Sequence, residues 1–258
     1  MYKRQRLAQE VFEIVGRDLE GLVVRTGNDF EWLRIVDSGL STSELGPAAS
    51  SEITNALEVN FFTATPDRYN GQIGGSADNG GDVSLVRYKL VYQDVIDRSG
   101  GNTPVYSLYR HRIEPDETFT TLLSQADLGG ALPEGDSIND EENLLSENIY
   151  DFTLSFNFEF INADGSDGYR RVVMQSGVGL NNTLSVKGNG ILVNDADIDL
   201  PAGASSLRLA SADISVFVIS DSGMRGVSRA PINSDADFSR YLNENGTSYT
   251  KSVILPQP

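Results

Sequence analysis

Residues 152–160 read FTLSFNFEF, and this stretch decides the fold class of the chain. Apolar side chains occupy every second position, and Thr, Ser, Asn and Glu lie between them. Successive side chains of a strand point to opposite faces, so the alternation predicts a strand with one buried face and one polar face. Residues 162–168 are rich in Asn, Asp, Gly and Ser, which predicts a turn into a second strand over 169–175.

The same alternation, or a short apolar run between turn residues, recurs along most of the chain. It predicts further strands over residues 30–36, 57–63, 83–92, 105–113, 184–186, 191–193, 207–219 and 248–255. The segments 38–51 and 67–82 are small, polar and rich in Gly or Pro, which predicts long loops. A short helical or turn segment is predicted to start at Asp116 and to end before the glycine pair 129–130, and short helices are predicted over 141–147 and 235–243.

The N-terminal region has a different period. Apolar residues recur there at three- and four-residue spacing: Leu7, Val11, Ile14, Val15, Leu19, Leu22 and Val23. This spacing predicts an amphipathic helix over 6–26, with polar residues, Asp18 among them, on the opposite side. We therefore predict a single domain over 1–258 with an α+β fold. A long N-terminal helix packs on antiparallel β-sheet, and 29–258 is mainly antiparallel β.

Charge is concentrated in one part of the sequence. The chain of 258 residues has 20 Lys and Arg against 37 Asp and Glu, a net charge of −17. Fourteen of the acidic residues lie between Ile113 and Tyr169, where there is no Lys or Arg; the other 23 nearly balance the basic residues. The stretch near 114–148 is predicted to be a solvated acidic loop region inserted before the strand at 152–160.

Composition excludes several classes of function. Clustered Lys and Arg, which release counterions from nucleic acid, are absent, and so is the basic surface that binds anionic lipid. The sequence has no cysteine, so disulfides, thiolate metal sites and cysteine nucleophiles are all excluded. It contains neither an apolar run of 18 residues nor a signal peptide. Scarce Lys with plentiful Gly, Asn, Ser, Thr and Asp favours an exported β-rich protein.

The residues that could carry catalysis do not form a motif. His111 is the only histidine, lies mid-strand between two arginines, and is predicted to be a structural residue of the sheet surface. The glycine pairs at 177–179 and 188–190 lack the third glycine of a nucleotide-binding loop and are predicted to be β-turns. Acidic pairs alone do not place two carboxylates in one cleft, as a glycosidase requires. No enzyme is therefore predicted, and no cofactor.

The turn over 162–168 has some of the oxygen-bearing residues of a calcium loop. The EF-hand pattern requires Gly at its sixth position and an acid at its twelfth, where this chain has Asp167 and Val173. A hairpin turn is therefore predicted, and a surface calcium ion held partly by Asp164 and Asp167 is the alternative.

Four stretches together resemble one family of bacterial envelope proteins. They are 7–20 (LAQEVFEIVGRDLE), 57–66 (LEVNFFTATP), 82–92 (DVSLVRYKLVY) followed by 106–110 (YSLYR), and 238–256, which closes the chain. In this order they are similar to the larger minor pseudopilins: the J-type subunit of type II secretion, the PilW-like minor pilins and the Verru_Chthon cassette protein C. The match is one of order along most of the chain.

The resemblance implies a structural role at the periplasmic side of the inner membrane. Family members begin with a basic leader and about 20 apolar residues, enough to span a bilayer. This sequence contains neither, so the resemblance implies a membrane helix upstream of Arg6. It also implies other minor pseudopilins or pilins as partners at the tip of a fibre, with no catalytic residue and no cofactor.

The resemblance also suggests where subunits meet. The predicted contact is the apolar stripe Leu7, Val11, Ile14 and Val15, the stripe that is also predicted to pack on the sheet. The competing hypothesis is a secreted binding or adhesive β-rich module whose acidic face binds calcium.

Overall fold

Two antiparallel sheets of eight and four strands make up most of the structure. The computed structural model describes residues 2–37, 53–64, 82–93, 105–132, 137–175, 182–227 and 235–256. In chain order the strands are β1 (Glu31–Asp37), β2 (Ile53–Ala64), β3 (Val83–Gln93), β4 (Val105–Ile113), β5 (Leu144–Glu147), β6 (Ile149–Ile161), β7 (Asp167–Gln175), β8 (Thr183–Lys187), β9 (Gly190–Val193), β10 (Ala196–Asp197), β11 (Ser205–Ile219) and β12 (Gly246–Ile254). The α-helices are α1 (Tyr2–Glu20), α2 (Pro115–Glu117), α3 (Leu128–Ala131), α4 (Asp221–Val227) and α5 (Asp235–Asn245).

The larger sheet has the strand order β10-β9-β8-β1-β2-β3-β4-β5. The strands predicted over 83–92 and 105–113 are confirmed as β3 and β4, which pair in register from Leu85 opposite Ile113 to Gln93 opposite Val105. Alternate residues of these strands divide between the two faces of the sheet. Tyr88 and Arg110, which are direct cross-strand partners, therefore lie on the same face.

The smaller sheet has the order β12-β11-β6-β7 and is built around the stretch at 152–160. The five apolar side chains of that stretch are at most 6% exposed, so the predicted strand and its buried face are confirmed. Burial of side chains of this size contributes roughly 1.5–3 kcal/mol each. The opposite face is polar and carries cross-strand pairs such as Arg171 with Asp213, 3.0 Å apart.

The α+β prediction, with a long helix packed on sheet as its organising feature, is wrong. Strands make up 52% of the structure and helices 27%, and α1 is the one helix near the N-terminus of a mostly β protein. The reason is that the two sheets cover each other. The Tyr88 ring of the larger sheet lies 6.2 Å from Phe152 of the smaller, and Tyr106 lies 5.0 Å from Tyr150.

One hydrophobic core joins both sheets and α1. The helix contributes Ala8, Val11, Val15 and Leu19, all at most 1% exposed. It contacts β11 and β12 of the smaller sheet and β2 and β5 of the larger. The helix α1 ends at Glu20, whereas the prediction placed its end at residue 26, and Leu22 forms a β-bridge with Thr63.

The acidic region before β6 has more regular structure than predicted. A π-helical turn (Thr118–Leu122) follows α2. The segment predicted to start at Asp116 was expected to end before the glycine pair 129–130, but α3 (Leu128–Ala131) includes that pair. The helix predicted over 141–147 is wrong, because only Glu141–Asn143 form a 3₁₀ turn and the rest is β5. Leu144 packs with Val91 and Ile138, and this apolar contact favours pairing along the edge of β4.

The remaining predicted elements are largely confirmed. β1, β2, β7, β8, β9, β11 and β12 lie where alternation placed them, and α5 matches the helix predicted over 235–243. The structure adds α4 and the two-residue β10, which the sequence pattern did not indicate. The loops predicted over 38–51 and, apart from Asp82, over 67–82 lie outside the described residues, as do Glu134 and Asp136 of the acidic region.

Candidate functional site

The most distinctive polar site of the described residues joins α1 to the larger sheet. Asp18 of α1 is 3% exposed. Its carboxylate accepts two hydrogen bonds from Arg110 of β4, from Nε to Oδ2 at 2.7 Å and from Nη2 to Oδ1 at 3.1 Å. A bidentate pair of this kind fixes the relative orientation of both side chains. The helix is therefore held to the sheet at a defined angle.

Two further hydrogen bonds complete the site. The hydroxyl of Tyr88, a fully buried residue of β3, donates to Oδ2 of the same carboxylate. The hydroxyl of Thr63 in β2 donates to the backbone carbonyl of Asp18 at 2.8 Å. Asp18, Tyr88 and Arg110 are called the helix clamp below. The clamp ties one turn of α1 to β3 and β4 of the larger sheet, and Thr63 adds β2.

The electrostatics of the clamp favour a permanent ion pair. Burial raises the pKa of Tyr88 well above its ordinary value, and the Asp18 carboxylate raises it further. Burial alone would lower the pKa of Arg110, but its hydrogen bonds to Asp18 and the charge of that carboxylate raise it overall. Tyr88 therefore stays protonated and Arg110 stays charged at neutral pH. The clamp therefore joins a charged guanidinium and a protonated phenol to one buried carboxylate at neutral pH.

Other contacts attach the remaining length of α1. Near its N-terminus, Lys3 Nζ lies 2.6 Å from Asp221 Oδ2, and Arg4 donates to the carbonyl of Asn245 at 3.1 Å. In its middle, Lys251 of β12 donates to the carbonyl of Phe12 at 3.3 Å. The helix is thus bound by polar contacts at its start, middle and end, in addition to its buried apolar face.

The predicted subunit-contact stripe on α1 divides into two pairs. Val11 and Val15 are fully buried in the chain's own core, so their side chains are not available to a neighbouring subunit. Leu7 and Ile14 are half-buried. The prediction of a subunit contact is therefore restricted to Leu7 and Ile14, where it remains a prediction.

The acidic residues do not converge on one place in the described structure. Glu114 is exposed before α2, and Glu141 and Glu142 are exposed on the later 3₁₀ turn. Glu159 pairs with Arg208 across the polar face of the smaller sheet, 2.5 Å apart. Among the described residues, no group of three or more His, Asp or Glu side chains is placed to hold a metal ion.

The turn at 162–168 is the predicted hairpin. It joins β6 to β7, with Ile161 opposite Asp167. The Asp164 carboxylate accepts hydrogen bonds from the backbone N–H and the hydroxyl of Ser166, at 2.9 and 2.6 Å, and these bonds lower its pKa. One oxygen of the supposed calcium ligand thus closes the turn itself.

The other residues considered for chemistry have structural positions. His111 lies in β4 opposite Arg87, as predicted for a sheet residue. Residues 188–190 form the β8–β9 turn, with Lys187 opposite Gly190, so the β-turn prediction is confirmed there. The turn predicted at 177–179 lies outside the described residues.

Sequence reasoning missed the clamp because it assigned Asp18 to the polar side of the helix. The spacing contained a signal, since Val11, Val15, Asp18 and Leu22 follow each other at four, three and four residues. An acid within an apolar stripe indicates a buried carboxylate that needs a cationic partner. The identity of that partner, 92 positions away, could not be obtained from spacing.

Comparison with known proteins finds no match to this chain among family models, curated proteins or solved structures. No helix in the described part of the chain is long and apolar enough to cross a membrane.

Proposed function

We propose that this chain is the globular part of a minor pseudopilin, a structural subunit of a type II secretion or type IV pilus-like fibre. In this role it catalyses no reaction. It assembles with other minor pseudopilins at the fibre tip, on the periplasmic side of the bacterial inner membrane. The proposal rests on the order of the sequence motifs and on the attachment of α1. It does not depend on an α+β fold.

The observation that carries the proposal is the helix clamp. A subunit held through an N-terminal membrane helix must transmit force from that helix to its globular part. A buried, bidentate ion pair resists the sliding of α1 along the sheet better than apolar contacts, which are non-directional. The contact of Asp18 with Arg110, supported by Tyr88, supplies such a joint where α1 ends and the body begins.

Exposure along α1 agrees with this role. Tyr2 is 90% exposed at the first turn, whereas Leu19 near the last is fully buried. The buried share of the helix thus increases toward the clamp. In the proposed fibre, the exposed end of α1 faces the membrane and the neighbouring helices, and the clamped end faces the two sheets.

The complete gene provides the first test. The proposal predicts a basic leader followed by about 20 apolar residues directly upstream of Arg6, because that length spans a bilayer. An ordinary start codon with no such segment would contradict it. The full-length protein, expressed with its upstream segment, is expected in the membrane fraction. A matched form without that segment is expected in the supernatant.

Assembly provides the second test. Single cysteines introduced at Leu7 or Ile14, in a chain that has none, allow disulfide trapping between the full-length protein and its neighbours. Cross-linked heteromers with other pseudopilins are expected from these two half-buried positions. A cysteine at the exposed residue Glu117, far from α1 in sequence, is the control. Equal cross-linking from Glu117 would contradict an interface on the helix.

A further inference from the structure

A pocket of about 250 Å³ opens between the β8–β9 hairpin of the larger sheet and the first residues of β11 in the smaller sheet. The segment after α1 forms its third side. Its apolar lining consists of Val24, Trp32, Val186, Ile191, Leu207 and Leu209. β11 is irregular here, since its register against β6 shifts on both sides of the pair Arg208–Leu209. Such bulges redirect side chains and are frequent beside binding sites.

Three basic residues, Arg25, Lys187 and Arg208, line the same pocket. Arg208 is paired with Glu159, to which its Nε donates at 2.9 Å. Arg25 and Lys187 have no carboxylate within 4.0 Å among the described residues. Arg25 instead lies 4.9 Å above the centre of the Phe30 ring and donates to the carbonyl of Leu123. Burial lowers its pKa, as expected for a guanidinium without an anion beside it.

The backbone of the pocket is held in place without a ligand. Gly27 donates its N–H to the carbonyl of Gly188 at 2.8 Å, and Gly188 donates to the carbonyl of Phe30 at 3.3 Å. Asn28 packs so closely that a Cβ on Gly188 would lie 2.7 Å from its Oδ1. The hairpin turn is thereby fixed against the segment after α1. Because the pocket is preformed, a ligand does not have to order its walls on binding, and the binding free energy is not reduced by that cost.

Trp32 gives the pocket a specific polar feature. The side chain lies in the wall and is 3% exposed. Its indole Nε1 is buried and has no hydrogen-bond partner among the residues that the structure describes. Leaving a buried donor unpaired is unfavourable, and structures usually avoid it. A ligand oxygen at this wall, after a small rotation of the ring, would give the indole N–H a partner.

We propose that this pocket binds a carboxylate attached to a single apolar group. The anion lies between Lys187 and Arg25, and the apolar group rests against Trp32, Ile191 and Leu209. This chemistry has two sources, a free aliphatic acid and the C-terminal residue of a peptide chain. The volume lies below the range of about 300–1,000 Å³ that is usual for pockets of drug-sized ligands, so the ligand is one residue or one short acid.

The single tryptophan of the chain makes the proposal directly measurable. Trp32 is the only Trp, so every change in tryptophan fluorescence reports on this wall. The probes are N-acetyl-leucine, its neutral amide, and 4-methylpentanoate. A ligand of this size in a preformed pocket is expected to bind with a dissociation constant of roughly 0.1–1 mM. The acid should bind at least tenfold more tightly than the amide.

Two variants locate the site. Lys187→Met removes the charge and keeps most of the side-chain stem, and it should weaken acid binding at least tenfold. Lys89→Met is the matched control, because Lys89 is also a half-buried strand lysine and does not line this pocket. Gly190→Val places bulk in the pocket at a position where an added Cβ meets no atom within 4 Å, so the chain should fold and binding should be lost.

Each outcome decides a specific part of the proposal. Tighter binding of N-acetyl-leucine than of 4-methylpentanoate supports a peptide C-terminus, and comparable binding supports a free acid. Equal affinity for the acid and the amide would overturn the assignment of a carboxylate. No saturable change with any probe up to several times the expected constant, or unchanged binding in both Lys187→Met and Gly190→Val, would overturn the site.

Discussion

Asp18 and Arg110 lie 92 positions apart in the chain, yet their side chains form two hydrogen bonds of 2.7 and 3.1 Å in the largely buried joint between α1 and the larger sheet. The contact brings together the end of the first helix and the middle of the fourth strand. Each partner would lie in a largely buried position without the other, so the pair forms only while α1 is correctly seated. The docking of the helix is therefore coupled to the register of β3 and β4.

Substitution of either charged member of the clamp is expected to destabilise the protein. Asp18→Ala leaves the Arg110 guanidinium largely buried without its anion, which typically costs 3–5 kcal/mol. We expect about 3 kcal/mol, because 22% of the Arg110 side chain is still exposed. Urea unfolding measures this cost. Glu13→Ala, an exposed acid on the same helix, is the matched control and should change stability by less than about 0.5 kcal/mol.

The double variant Asp18→Leu with Arg110→Met separates charge from packing. It removes both charges and replaces both side chains with apolar ones, so no unpaired charge is left buried and it should be more stable than either single substitution. If Asp18→Ala unfolds at the same urea concentration as the unmodified chain, the clamp does not hold α1. The structural argument for the proposed function then loses its support.

The clamp also shows where sequence reasoning stops. Alternation located β6 because its buried face contains only apolar residues, and period alone identifies such a strand. Asp18 also follows the helical period of the buried residues, but an aspartate is usually expected at a solvent-exposed position. Only the fold supplies Tyr88 and Arg110, which lie 70 and 92 positions away in the sequence. Spacing can indicate that a charge is buried, but the partner of that charge is predictable from a sequence only when the partner is local.

The acidic region shows a second limit, in which local composition conflicts with pairing. Residues 141–147 suggested a short helix that covers the sheet edge. Their two leucines instead lie in β5 at the edge of β4, where Leu144 is opposite Tyr109, and this pairing stabilises the region more than the helix would. The cross-strand partner and the cluster around Ile138 decide the outcome. The packing of the two sheets against each other could likewise not be predicted, because the alternation in a strand shows that one face is buried but not which element buries it.

Alkaline pH is expected to unfold the protein through its buried tyrosines. Burial raises the pKa of Tyr88, Tyr106 and Tyr150 above the ordinary value of 10.0. The unfolded chain therefore loses these protons at lower pH than the folded chain. The stability that they contribute is complete below about pH 10 and is lost as pH rises toward the folded pKa values.

Urea unfolding at a series of pH values measures this effect. Each such tyrosine adds a decline of about 1.4 kcal/mol per pH unit above pH 10. Tyr106→Phe should remove one of these contributions and flatten the decline, whereas Tyr169→Phe serves as the matched control for loss of a surface hydroxyl. A decline equally steep in Tyr106→Phe and in the unmodified chain would contradict the role of burial.

The acidic region is expected to tolerate loss of charge but not loss of its apolar contacts. Glu141 and Glu142 are exposed, so Glu141→Gln with Glu142→Gln should change stability by less than about 0.5 kcal/mol. Ile138 is fully buried against Val91 and Tyr109, so Ile138→Ala should cost about 2–4 kcal/mol. Thermal and urea unfolding measure the stabilities of the charge-neutral variant and of Ile138→Ala, each against the unmodified chain. Unfolding of the charge-neutral variant would show that the carboxylates themselves hold the region.

The turn between β6 and β7 allows a test of the calcium hypothesis. The Asp164 carboxylate accepts two hydrogen bonds from Ser166, and the Ser166 carbonyl accepts the N–H of Asn162 at 2.8 Å. With this acceptor already engaged within the turn, calcium and chelator should give the same thermal midpoint. Asp164→Asn keeps an acceptor for the Ser166 N–H and should preserve the midpoint better than Asp164→Ala. A midpoint that rises with calcium concentration, and no longer rises in Asp164→Asn, would instead support a metal-bound turn and the binding-module hypothesis.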